Sequence, residues 1–174
     1  MKASRIVFAL IAIGVLVFAG VSCKKNKKIY KDRQDFKGYV WNRIEDGKDV
    51  SFEKIKIPNI EDTYDIYVSI RHAPMINVDE VDFILKVISP SGIAKQSIHT
   101  IKLKDRAGEK FVGDRMGDLI DIKEIVKQYM YFPEKGEYTI VISNYSSKYQ
   151  IGGIMSIGIE VEKSNLDYDV EKRK

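Results

Sequence analysis

One thiol in this sequence stands where its position specifies a reaction. Cys23, the single cysteine among 174 residues, follows an apolar and small-residue run from Ile6 to Val21 and then Ser22. Lys2 and Arg5 precede the run, and no acid occurs before Asp32. A basic start, an apolar stretch and small residues at the exit make a secretory signal peptide. A cysteine directly behind one is the acceptor a bacterial lipoprotein needs. Its thiol takes a diacylglyceryl group, the chain is cut just before it, and the freed amine is acylated. Each buried methylene contributes ~0.8 kcal/mol, so three acyl chains hold such a protein on a membrane almost permanently. With Cys23 carrying lipid, no disulfide within the chain and no cysteine-based metal site is possible.

Two other readings of the leader stay open. Gly20 occupies the position three before the cysteine, where leucine is usual, so a plain signal peptide with an incidental Cys23 is one alternative. An uncleaved membrane helix over Ile6–Ser22 is the other, at the short end of the ~17–25 residues a span needs. Lys24, Lys25, Lys27 and Lys28 behind it outnumber Lys2 and Arg5 ahead of it, against the positive-inside bias for a helix kept with its N-terminus inside.

The remaining chemistry is sparse. His72 and His99 are the two histidines, and nothing near either is spaced to complete a zinc site. Both fall at the ends of strand patterns, as loop or edge histidines. Asp105, Asp114, Asp118 and Asp121 crowd a glycine-rich stretch, but Met116 takes the third place counted from Asp114, which breaks the calcium-loop pattern. Turn chemistry accounts for that cluster. Gly113 to Gly117 lacks the Lys-Ser/Thr and the βαβ context of a phosphate loop. There is no G-x-S-x-G, no free thiol and no acid pair that stands out, so no catalytic residue, cofactor or metal is assigned. Ten tyrosines offer a sugar-stacking platform, yet tyrosine is equally a strand residue, and Tyr64, Tyr138 and one of Tyr129 or Tyr131 are expected in the core.

The elements that would position these groups follow from charge and period. The formal charge of +4 belongs to the leader and the lysines behind it. From Ile29 onward the count is about −2, which excludes a basic nucleic-acid-binding face. Residues 1–22 are read as signal peptide, 23–37 as a lipidated flexible tether with a reach of about 20 Å, 38–163 as one β-domain and 164–174 as a charged tail. Strands are expected at Gly38–Trp41, Val50–Ile57, Tyr64–Arg71, Val81–Ile88, Gln96–Leu103, Phe111–Val112, Tyr138–Ser143 and Ile154–Val161. Val50–Ile57 slips phase by one residue, which predicts a bulge. In Tyr64–Arg71, Tyr64, Ile66, Val68 and Ile70 face one way. Ser89-Pro90-Ser91-Gly92 and Pro133-Glu134-Lys135-Gly136 are turns. Ile122, Ile125, Val126 and Tyr129 have helical spacing, so Asp121–Tyr131 reads as a short helical turn before a strand at Tyr129–Phe132. Many short strands and little helix predict an all-β fold, an antiparallel β-sandwich of jelly-roll or immunoglobulin-like order behind a cleaved signal helix.

The order of IYKD, VSFE, YDIYVSIRH, ISPSG, GEKFVGDRMGDLID, FPEKGEYTIVIS and GGIMSIGIEVEK behind this leader resembles the gliding-motility-associated lipoprotein family GldH of Bacteroidota. The resemblance covers roughly Ile29 to Lys163. Its most specific parts are Gly113, Gly117, Asp118 and Leu119, and the run Phe132–Ile140. Phe111 stands where the family commonly has tryptophan. The resemblance implies an outer-membrane lipoprotein needed for gliding and linked to type IX secretion, with no enzymatic activity. Its expected partners are the membrane, through lipid on Cys23, and other envelope motility and secretion proteins. Lys24 and Lys25 lack the acidic pair associated with surface export, which points to the periplasmic side. A carbohydrate-binding lipoprotein is the alternative, resting on fold alone, and a hydrolase ranks last.

Overall fold

Alternation of apolar and polar residues at a period of two dictates strand over most of the chain. The computed structural model describes residues 28–43 and 49–164, and most of them are in strands. In chain order the strands are β1 (Lys28–Asp35), β2 (Val40–Asn42), β3 (Val50–Ile57), β4 (Thr63–His72), β5 (Glu80–Ile88), β6 (Ala94–Lys102), β7 (Asp114–Met116), β8 (Leu119–Tyr131), β9 (Gly136–Asn144), β10 (Gln150–Gly152) and β11 (Ile154–Lys163). A single 3-10 turn, Lys37–Tyr39, stands among them.

Strand pairing builds two large antiparallel sheets. One runs β1-β11-β4-β8-β7, the other β3-β9-β5-β6, and β2 pairs with β10 beside them. Leaving aside the three-residue strands, every connection crosses from one sheet to the other except the β5–β6 hairpin. An immunoglobulin order would keep several consecutive pairs within one sheet. This alternation over eight strands is the jelly-roll order instead, which decides between the two sandwich orders that periodicity left open.

The core lies between the inner faces. Tyr64, Ile66, Val68 and Ile70 of β4 are fully buried, as are Ile157, Ile159 and Val161 of β11. They meet Phe52 and Ile55 of β3, Phe83 and Leu85 of β5, and Ile140 and Ile142 of β9 in a single cluster. Phe132 joins the sheets, its ring 5.6 Å from that of Tyr64 and 4.8 Å from that of Tyr138, both edge-on. Each of these tyrosines also fastens a loop. The Tyr64 hydroxyl donates to the Asn59 carbonyl at 2.7 Å and accepts from its N–H. Tyr138 does the same with Glu134 at 3.1 and 3.0 Å. A buried phenol must find such a partner.

The expected bulge in Val50–Ile57 is present. Pairing with β9 shifts between Phe52 and Ile55, and Lys54 takes φ 58°. The glycines of the GDRMGDL run also acquire a reason. Gly117 (φ 63°) and Asp118 form the two-residue loop between Met116 and Leu119, where a left-handed first residue is wanted. Gly113 lets β7 start against β8, since a Cβ there would lie 2.5 Å from the Asp121 carbonyl oxygen.

Several expectations are corrected. Residues 28–35, read as part of a flexible tether, form β1 and pair with β11. The strand expected from Gly38 begins at Val40, because Gly38 (φ 72°) and Tyr39 lie in the 3-10 turn. Asp121–Tyr131 contains no helical turn. It belongs to one long strand whose pairing with β4 shifts twice, between Tyr64 and Tyr67. Tyr129 (φ 55°) marks the end of that irregular stretch, its N–H donating to the buried Asp65 carboxylate at 2.9 Å. Tyr129 and Tyr131 are therefore exposed rather than core. Phe111 makes only an isolated bridge with Lys104. The signal segment, Cys23 and the tail from Asn165 lie outside the described residues.

Candidate functional site

Register places charged residues in rows across the outer face of the five-stranded sheet. Lys31, Glu160, Tyr67 and Ile125 stand side by side on β1, β11, β4 and β8, and Arg33, Gly158, Ser69 and Lys123 form the next row. Glu160 is 5% exposed at the centre. Lys123 Nζ approaches its Oε1 at 2.5 Å and Lys28 at 3.1 Å, while Lys31 reaches Oε2 at 3.5 Å. Burial pushes the Glu160 carboxyl up, but hydrogen bonds from Glu162, Lys123 and Lys28 outweigh it and hold the pKa at about 2. Glu162 is raised in turn, chiefly by its hydrogen bond to Glu160. Lys123 also lies over the Tyr67 ring at 4.2 Å.

One row further on, Arg71 binds Asp121 through two parallel hydrogen bonds, Nε to Oδ1 at 2.7 Å and Nη2 to Oδ2 at 2.6 Å. Arg33 lies 3.7 Å from the same carboxylate. The Arg71 hydrogen bonds lower the Asp121 pKa against the effect of burial. A depression of about 170 Å³ opens between these two clusters, lined by Lys31, Arg33, Ser69, Asp114, Asp121 and Glu160. Glu160 and Asp121, the two acids at its centre, are both held by basic partners, so the face is a structural ion network.

A second concave feature, among several, is different in kind. A groove of about 360 Å³ lies between β8 and β6, the strands on the same lateral side of the two sheets. Val87, Met130, Phe132 and Tyr138 make its apolar wall, and Lys95, Ser97 and Lys127 project into it. Next along β6, His99 stacks on Phe83 at 5.7 Å and contacts the Ser97 hydroxyl at 2.8 Å. Burial lowers the His99 pKa, and the Lys127 charge lowers it further.

The residues singled out from sequence are not brought together. His72 ends β4 but is fully buried, its Nδ1 3.0 Å from the Ala73 carbonyl and its pKa lowered by burial. His99 sits inside β6 rather than at a strand end. Asp105 closes its own turn by accepting from the Glu109 and Lys110 N–H groups. Asp121 is committed to Arg71, and Asp114 and Asp118 are exposed. Among the described residues no three of His, Cys, Asp and Glu gather to hold a metal. Sequence reasoning missed both the Glu160 network and the Lys95–Lys127 groove. Each assembles across strands distant in sequence, so no local spacing announces it.

The molecule is a jelly-roll sandwich with an ion-paired face and an open, lysine-lined side. The family model described as GldH lipoprotein matches residues 28–161. The chain belongs to the GldH lipoprotein family, a membrane-anchored envelope family of gliding-motility type that is not a known enzyme family. No curated protein sequence matches significantly. Among solved structures, the infectious bursal disease virus VP2 subviral particle aligns at 11% identity and TM-score 0.36, over 81% of this chain and 33% of that one. The structure of the Gx strain of the same virus aligns at 11% and 0.30, over 84% and 36%. This chain spans about a third of the length of those chains, and at such scores the likeness adds nothing to the strand order.

Proposed function

We propose that this protein is a non-catalytic component of the gliding apparatus and its associated type IX secretion machinery. Lipid on Cys23 holds it at the outer membrane with the domain on the periplasmic side, and it acts by docking other envelope proteins. The observation that carries this reading is the family match, which spans nearly the whole described sandwich. The surface chemistry supports it, being rich in paired charge and an open edge rather than in nucleophiles or metal ligands.

The N-terminal peptide tests the anchor. Mass spectrometry should find cleavage before Cys23 and an acylated cysteine, and Cys23→Ala should release the protein from the membrane. A deletion strain should fail to spread, and Cys23→Ala should fail to restore it. An intact leader, or a deletion strain that glides and secretes normally, overturns the proposal.

A further inference from the structure

The two lateral sides of the sandwich are not alike. On one, β1 lies over β3 and Gln34 Nε2 donates to the Ser51 carbonyl, closing the gap. On the other, β8 and β6 leave the groove open. A strand edge can accept a further strand only where its backbone runs regularly, and bulges spoil the template. The pairings of β1, β3 and β8 all contain register shifts. β6 pairs with β5 alone, over Ala94–Lys102 without a shift, and its far edge has no strand partner among the described residues.

The side chains along this edge state what would fit. Lys95, Ser97 and His99 stand opposite Val87, Leu85 and Phe83, the inward-facing row of β5, so they point into the groove side. Lys127 faces them from β8. Neither Lys95 nor Lys127 has an ion-pair partner among the described residues. The lining's one acid, Glu134, is taken by the Ser91 N–H at 3.0 Å and hydroxyl at 2.8 Å. Ile93 and Tyr131 at the rim are more than half exposed. An inward lysine on an edge also repels a like strand. A second copy of β6 (AKQSIHTIK) brings two lysines and no acid.

We propose that β6 accepts an added strand from a protein partner, an extended segment whose groove-facing side chains combine apolar groups with carboxylates. Its backbone pairs with the free edge of β6. Its apolar side chains cover Ile93, Met130 and Tyr131, which line the groove and are still open to solvent, and its carboxylates meet Lys95 and Lys127. This names the partner chemistry for the docking role proposed above and rests on that reading. The binding test in solution is nevertheless separate from motility. Failure to bind leaves the gliding role standing, and a normally gliding deletion strain leaves the strand site standing.

The test uses the full-length lipoprotein in nanodiscs of zwitterionic lipid and a fluorescein-labelled nonapeptide of Glu, Val and Leu. Fluorescence anisotropy should show saturable binding. A peptide N-methylated at alternate residues, or one with Lys for Glu, should bind at least tenfold more weakly. Lys95→Glu and Lys127→Glu should each weaken the Glu peptide by about tenfold, while Lys56→Glu on β3 leaves it unchanged. Unmodified protein supplies a second readout, because the His99 ring resonances should shift on titration. Absence of saturable binding, or equal binding of the N-methylated peptide, overturns the proposal. So does self-association of Lys95→Ala and Lys127→Ala without peptide binding, which would make the lysines edge protection only. Peptide binding that emerges only on removing residues 165–174 would assign the edge to the chain's own tail and overturn it too.

Discussion

Glu160 is the residue whose surroundings make the sharpest demand. Its carboxylate is nearly buried yet charged, with three lysine ammonium groups within 3.5 Å. A folded-state pKa of about 2, against the ordinary 4.5 of a free glutamate, means the charged form is favoured by folding. That stabilisation is complete above pH ~4.5 and is lost as pH falls toward 2. Glu160→Gln should therefore cost about 1–3 kcal/mol at pH 7 and flatten the acid limb of a Tm-versus-pH curve between pH 5 and 2. Glu162 is shifted the other way, so its contribution is present at low pH and lost as pH rises. Glu162→Gln should leave neutral-pH stability unchanged or higher. A flat limb in the wild type, or equal losses from both variants, would refute the network. None of this was legible in the sequence, because Lys28, Lys123 and Glu160 meet only through the β1-β11-β4-β8 register. By contrast Tyr64, Ile66, Val68 and Ile70 were legible, since alternation alone puts them on one buried face.

At the scale of elements, a regular period was readable and its interruptions were readable once but not twice. One bulge leaves two recognisable half-patterns, as in VSFEKIKI, where Lys54 absorbs the extra residue at φ 58°. Left-handed backbone costs an L-residue about 1–2 kcal/mol, and a β-branched one suffers most. Lys54→Val should lower stability by about 1 kcal/mol, and Lys54→Gly should not lower it, because relief of strain offsets the added chain entropy. Urea midpoints of the two variants check this, and equal midpoints would mean the bulge relocates. In β8 two shifts stand close together and stretch the apolar spacing from two residues toward three, which imitates a helix. β1 escaped notice for another reason. KIYKDRQD covers a half-exposed edge, with few residues buried deeply enough to impose a period.

For the molecule as a whole, the strand identity of residues 28–35 changes what the anchor does. A flexible segment from Cys23 to Lys37 would let the domain wander, whereas β1 is fastened to β11 from Lys28 onward. Residues 23–28 can span at most about 18 Å, so the lipid proposed on Cys23 would keep the sandwich against the membrane. The end of the domain that carries Lys28 also carries Tyr64, Met130 and Ser164, because Lys28 pairs with Glu162, Tyr64 with Met130, and Ser164 with Thr63. The groove's Met130, Tyr131 and Ile93 therefore open towards the end of the domain that carries Lys28, so under the proposed anchor a partner strand would reach β6 close to the lipid surface. Inserting a fifteen-residue Gly/Ser segment between Cys23 and Lys28 should leave the β-sheet circular dichroism and the Tm unchanged. Membrane attachment should also persist, but spreading should be lost, because the added segment extends the reach by a further ~20 Å. Colony spreading of the insertion strain beside wild type decides it: full spreading would show that the height of the domain is not used, whatever it docks.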